Sequence, residues 1–209
     1  MVTSKHETGK GAIMEFEQVI TEFRDAGALL EGHFILSSGL HSERYLQCAR
    51  VLMHPDRAAR LCGALAQKIS DQSQIGSIDL VVSPAMGGVL VGYEMARQLG
   101  VPSMFTERVD GVFAFRRGFA LAEGQRVLMV EDVVTTGKSS KECMDVIRDH
   151  GGLVVGACSL VDRSNGKVDL GVPYVPLIGM DVPSYDPNNL PEHLKNIPAV
   201  KPGSRHLNR

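Results

Sequence analysis

The densest chemistry in the chain lies between Arg126 and Ser140. There the apolar run Val127-Leu-Met-Val130 meets Glu131-Asp132, two aliphatics, Thr135-Thr136-Gly137, Lys138 and a pair of serines. The first part reads as a buried strand that ends in two adjacent carboxylates. The remainder reads as a short loop opening a helix over Ser139 to His150. Hydroxyls, a glycine and free N–H groups at a helix N-terminus form an anion cradle, because the donors and the helix dipole point the same way. Gly137 is expected to let the backbone approach a phosphate closely. The neighbouring acids would repel that phosphate unless they faced something else, either ribose hydroxyls or a cation-bridged sugar diphosphate. A nucleotide P-loop is excluded, since it needs a glycine where Asp132 stands.

A cradle of this kind has to be held by a scaffold, and the pattern supplies one. Apolar positions at helical spacing predict a helix from Met14 to about Ala26. A turn-rich segment, Gly32 to Gly39, and an extended Arg44 to Gln47 follow. Leu61, Ala64, Leu65 and Ile69 form a stripe on a helix starting near Pro55. Beyond it, strands at Ile78–Val82, Pro102–Thr106, Arg126–Val130 and Leu153–Val161 alternate with helices, the first at Gly88–Leu99. Such alternation predicts an α/β fold, a doubly wound and mainly parallel sheet with helices on both faces. From Pro173 onward the tail carries seven of the ten prolines. It has room for one more strand, Val175 to Ile178, and then reads as irregular or wrapped over the surface. The organisation expected is a disordered leader over 1–12, a helix and hood over 13–54, a core over 55–180 and an irregular tail over 181–209.

Composition narrows the function. With 22 Lys+Arg against 24 Asp+Glu the net charge is −2, which argues against a nucleic-acid binder. Any anion must be caught by local chemistry. No apolar run approaches a membrane span and no signal-like segment opens the chain, so the cytoplasm is the expected compartment. The four cysteines show no paired spacing and read as reduced core thiols. The seven histidines show no metal-ligand spacing.

Val127 to Ser140 closely resembles the signature of the type I phosphoribosyltransferases. The resemblance implies that Glu131 and Asp132 bind the ribose 2′ and 3′ hydroxyls of the activated sugar PRPP. Thr135, Thr136, Gly137, Lys138 and Ser139 then hold its 5′-phosphate, with Val133 and Val134 in the same binding segment. The loop Ser83-Pro-Ala-Met-Gly-Gly88, with Met86 and Gly87, looks like the family's pyrophosphate loop. Residues 107–118, with a hairpin at Asp110-Gly111, correspond to its mobile loop. Arg108, Arg116 and Arg117 are the cations there, and Arg108 and Asp132 are the expected catalytic residues. Asp162-Arg163 after the last core strand resembles the orotate-using members, in which the arginine grips the base carboxylate. Gly32 to Tyr45 resembles their hood. Arg163, Thr135 and Ser37 would then contact orotate, with Phe34, Ser38 and Tyr45 flanking it. Ser37 and Gly87 stand where many of those members carry lysine, and the 107–118 loop has arginines in place of lysines and a histidine. The resemblance further implies a homodimer and Mg²⁺ held mainly by substrate oxygens. A purine-using relative, a PRPP-sensing regulator and a sugar-phosphate binding protein share the same fold expectation.

Overall fold

The computed structural model describes residues 14–36 and 39–201. In chain order its elements are α1 (Phe16–Asp25), β1 (Leu29–Ile35), β2 (His41–Leu46), α2 (Cys48–Leu52), α3 (Pro55–Ser70), β3 (Leu80–Pro84) and α4 (Gly88–Leu99). There follow β4 (Ser103–Val109), β5 (Val112–Ala114), β6 (Arg126–Val134), α5 (Lys138–Asp149), β7 (Leu153–Asp162), β8 (Tyr174–Gly179), β9 (Ser184–Tyr185) and α6 (Glu192–Lys195).

The main sheet has the order β5-β4-β3-β6-β7-β8. Its pairings are parallel except for the β4–β5 hairpin. The strands alternate their apolar side chains between two cores. Val81, Leu128, Val130, Cys158 and Leu160 pack toward α1, α3 and α4. Leu80, Val82, Val127, Met129 and Ala157 pack toward Cys143, Met144 and Ile147 of α5. This period-two sorting makes a sheet buried on both faces and fixes its register. Cys48, Cys62, Cys143 and Cys158 are all free and buried.

The chain leaves β3 toward β4 on one side, while β6 continues to β7 and β8 on the other. The carboxyl ends of β3 and β6 therefore flank the point where the winding reverses, the place where open α/β sheets hold ligands.

Three local expectations change. The segment from Gly32 is not a turn, because β1 runs through it to Ile35. The glycine sits at a register shift between Glu31 and Phe34, so the irregularity is a bulge within a hairpin. Strand β6 does not stop at the acids. Val133 pairs with Val161 and Val134 with Asp162, which carries the strand through Glu131 and Asp132 to the loop. The tail is not irregular throughout. β9 adds to β2 antiparallel, with His41 opposite Tyr185, and a second sheet, β1-β2-β9, forms the hood.

Candidate active site

Where the winding reverses, β3 presents Ala85-Met86-Gly87 and β6 presents Glu131-Asp132. Gly87 has an ordinary backbone, φ −56°, so conformation does not demand glycine there. Space does. A Cβ at position 87 would lie 2.8 Å from Asp132 Oδ1 and 2.9 Å from Oδ2. The pyrophosphate-type loop and the acid pair are thus one packed wall. Gly87→Ala is expected to displace the Asp132 carboxylate and raise the KM for PRPP about tenfold with little change in melting temperature. Steady-state kinetics paired with a thermal scan would check it, and an unchanged KM would mean the carboxylate has room to retreat.

The two acids are held differently. Asp132 Oδ1 accepts the Val133 backbone N–H at 2.9 Å. Glu131 Oε2 accepts a short hydrogen bond from the hydroxyl of Ser140, which is fully buried on the first turn of α5. The cradle expected from the motif ends at Ser139, one residue short of this contact. Ser140 would have been found only by asking which first-turn hydroxyl points back at the strand. Burial raises both carboxyls. Glu131 is pushed up to about 7, with Ser140 opposing the shift and Asp132 adding to it. Asp132 is raised by burial, against the backbone donors that favour its charge.

Folded Glu131 therefore keeps its proton to about 7, whereas the unfolded side chain loses it near 4.5. Between those values the folded state binds more protons, so stability falls as pH rises through the window. Thermal scans without ligand at about pH 5 to 8 should show this decline, and Glu131→Gln should flatten it.

Residues Val133 to Ser140, with Glu131, line a concave pocket. Thr135, Thr136 and Lys138 are exposed in it, Ser139 is half-buried, and Val134, Gly137 and Ser140 are buried. Gly137 is left-handed, φ +73°, and caps the start of α5. A Cβ on it would meet Val168 Cγ2 at 2.6 Å and Leu170 Cδ2 at 2.7 Å. Beside the expected closeness to a phosphate, the glycine has a second reason in packing. It seats the loop against the segment after β7. Lys138 is 3.9 Å from Glu142 on the exposed side of α5.

Arg163 follows β7, and its backbone N–H bonds the Val134 carbonyl at 2.7 Å, beside Thr135. Its Nε is buried and has no hydrogen-bond partner among the described residues. Burial lowers its pKa, and Tyr45 and Cys48 oppose that. Tyr45 of β2 lies within electrostatic reach of both Arg163 and Asp132. Phe34 packs on the Tyr45 ring, with centroids 5.8 Å apart. The hood hairpin therefore carries a stacked aromatic pair within electrostatic reach of the arginine. Asp162 has an architectural part, since its carboxylate accepts the N–H groups of Ser164 at 2.7 Å and Gly166 at 3.1 Å and shapes the turn. Ser37 and Ser38 lie outside the described residues.

Met86 is exposed at the mouth, 85%. Arg108 is already engaged. It donates to the Glu142 carboxylate at 2.6 Å and to the Gly111 carbonyl at 2.6 Å, and it lies 4.0 Å over the Phe113 ring. Arg117 is paired with Glu107 at 2.6 Å. The Asp110-Gly111 hairpin forms as expected, with Val109 opposite Val112 and positive φ at both turn residues.

The model of the phosphoribosyl transferase domain family matches residues 52–181. Fold and site therefore define a phosphoribosyltransferase. The chain is 64% identical over 192 residues to the orotate phosphoribosyltransferase of Rhizorhabdus wittichii, covering 92% of this chain and 97% of that one. It is 57% identical to that of Erythrobacter litoralis, covering 92% and 99%. The crystal structure of orotate phosphoribosyltransferase from Aeropyrum pernix superposes with a TM-score of 0.62 at 28% identity, covering 77% of this chain and 93% of that one. The chain belongs to the orotate phosphoribosyltransferase family.

Proposed function

We propose that this chain transfers the phosphoribosyl group of PRPP to orotate, giving orotidine 5′-phosphate and pyrophosphate. The observation that carries the choice of base is Arg163. A half-buried guanidinium with an unpartnered Nε, within electrostatic reach of Tyr45, is matched by a planar carboxylate that accepts two parallel hydrogen bonds. A purine has no carboxylate to offer.

In this reading the 135–139 amides and hydroxyls hold the 5′-phosphate, and Glu131 and Asp132 accept from the ribose hydroxyls. The sugar is thereby fixed at both ends, which orients C1 toward the base. A ring nitrogen of orotate attacks C1 as the C1–O bond to pyrophosphate breaks, through a state with oxocarbenium character. The acids that grip the ribose also lie near the cation that develops on it. The Met86 and Gly87 end of the loop faces the leaving group, whose charge grows as the bond lengthens, while the Ala85 N–H is held by the Thr106 carbonyl. Arg108 would join them after exchanging its Glu142 partner for the pyrophosphate. Mg²⁺ would supply neutralisation of the pyrophosphate charge, and the family resemblance implies that substrate oxygens would mainly hold it. Among the described residues no group of three His, Cys, Asp or Glu is arranged to hold a metal ion.

A homodimer in the cytoplasm belongs to the same proposal. Met86, Leu90 and Tyr93 form an exposed apolar stripe along the start of α4, suited to a second copy. Among the described residues no helix is long and apolar enough to cross a membrane.

The test is direct. Purified protein with PRPP and Mg²⁺ is offered orotate, uracil, adenine and hypoxanthine separately, and absorbance is followed. Consumption of orotate alone is expected. Turnover of a purine with orotate untouched would overturn the assignment.

A further inference from the structure

The hood hairpin has two edges, and the C-terminal tail covers both. On the β2 edge, β9 pairs Ser184 with Ser42 and Tyr185 with His41, and the Ser42 hydroxyl donates to the Pro183 carbonyl at 2.8 Å. The tail then crosses the hood through α6, where Leu194 is buried and His193 meets Glu43 at 3.0 Å. It arrives at the opposite edge with Val200. The Val200 N–H donates to the His33 carbonyl at 2.8 Å, and the Ile35 N–H donates to the Val200 carbonyl at 2.9 Å. Just before it, the Ile197 carbonyl lies 2.7 Å from Nδ1 of buried His33, whose Nε2 is 2.5 Å from His41 Nδ1.

These bonds converge on one residue. Val200 grips the main chain immediately before and after Phe34, and the Phe34 ring packs against Tyr45, which is within electrostatic reach of Arg163. We infer that the tail from Pro183 to Val200 is a positioning element of the base site. It sets the distance between the hood wall and Arg163 through the backbone of Phe34. An uncovered two-stranded hairpin is marginal in water. One carrying a binding wall would wander unless both edges were tied, and the tail supplies the ties. This inference rests on the proposed reading of Arg163 as the base-binding residue.

Val200 allows a clean test, because its side chain is 55% exposed and only its backbone is used. Val200→Pro removes the N–H that bonds His33, whereas Val200→Ala keeps it. Both variants, the wild type and Arg163→Ala are compared as full chains, with KM measured for orotate and PRPP and a melting curve for each. The expected result is an orotate KM raised about fivefold in Val200→Pro, the effect of one lost backbone hydrogen bond. The PRPP KM and the melting temperature stay near wild type, and Val200→Ala behaves as wild type. An unchanged orotate KM in Val200→Pro, beside a raised one in Arg163→Ala, would overturn this inference alone. A parallel rise of both KM values with a lower melting temperature would reduce the tail to general structural support and overturn it too. If Arg163→Ala left the orotate KM untouched, the base-site reading would fail and take the inference with it.

Discussion

Arg163→Ala is expected to raise the KM for orotate about a hundredfold and to leave the KM for PRPP within about twofold. The backbone of Arg163 is already committed to Val134, so its side chain is not needed to hold the loop in place. Its buried Nε has no partner among the described residues, and burial disfavours its charge. That is the signature of a group prepared for an anion it does not yet hold. A bidentate bond to a carboxylate contributes about 2–3 kcal/mol, hence the hundredfold figure. Removing an uncompensated cation relieves a desolvation cost, so the ligand-free melting temperature should hold or rise. Initial rates with each substrate varied in turn, together with a thermal scan, measure all three quantities. Equal increases in both KM values would mean that the arginine faces something other than the base.

Gly137→Ala is the second large effect. Alanine at φ +73° costs about 1–2 kcal/mol from backbone conformation alone. Its Cβ would also overlap Val168 and Leu170 at 2.6 and 2.7 Å, with both neighbours carried on the segment behind the loop. Either those side chains repack or the loop swings away, and the second moves the amides proposed to hold the phosphate. We expect a melting temperature lower by about 5–10 °C and a PRPP KM raised at least about tenfold. Saturating PRPP should restore part of the lost stability, because a ligand bound only by the folded state pulls the equilibrium toward it. A variant that melted early yet kept the wild-type KM would separate the loop's seating from its anion binding.

Much of this architecture could be read in advance because it is local. The helix expected over Gly88 to Leu99 has those same ends in the structure, since an apolar face runs between a glycine start and a left-handed Gly100. The strand cores follow from short apolar runs, and the junction after β6 follows from a dense motif whose parts lie within fifteen residues. What escaped was non-local. Nothing near Gly87 in sequence shows that Asp132 fills the space of its missing side chain, because that contact exists only once β3 and β6 are neighbours. Ser140 looked like an ordinary first-turn serine until the fold aimed it at Glu131. The prolines after Pro173 left the tail as irregular or wrapped over the surface, and nothing local showed that Ser184, Tyr185 and Val200 find strand partners over 140 residues earlier in the chain. Arg108 was read as a cation awaiting pyrophosphate, and the partner it holds in Glu142 could not be read from spacing.

The four sealed thiols give this molecule an internal clock. Each sits where burial raises its pKa, Cys143 to about 12, so almost none is ionised at neutral pH and none can be reached from outside. An alkylating reagent can then react only during excursions that part the layers, and the rate of labelling counts those excursions. Cys143, on the face covered by α5, and Cys62, on the face covered by α3, would time the opening of the two sides separately.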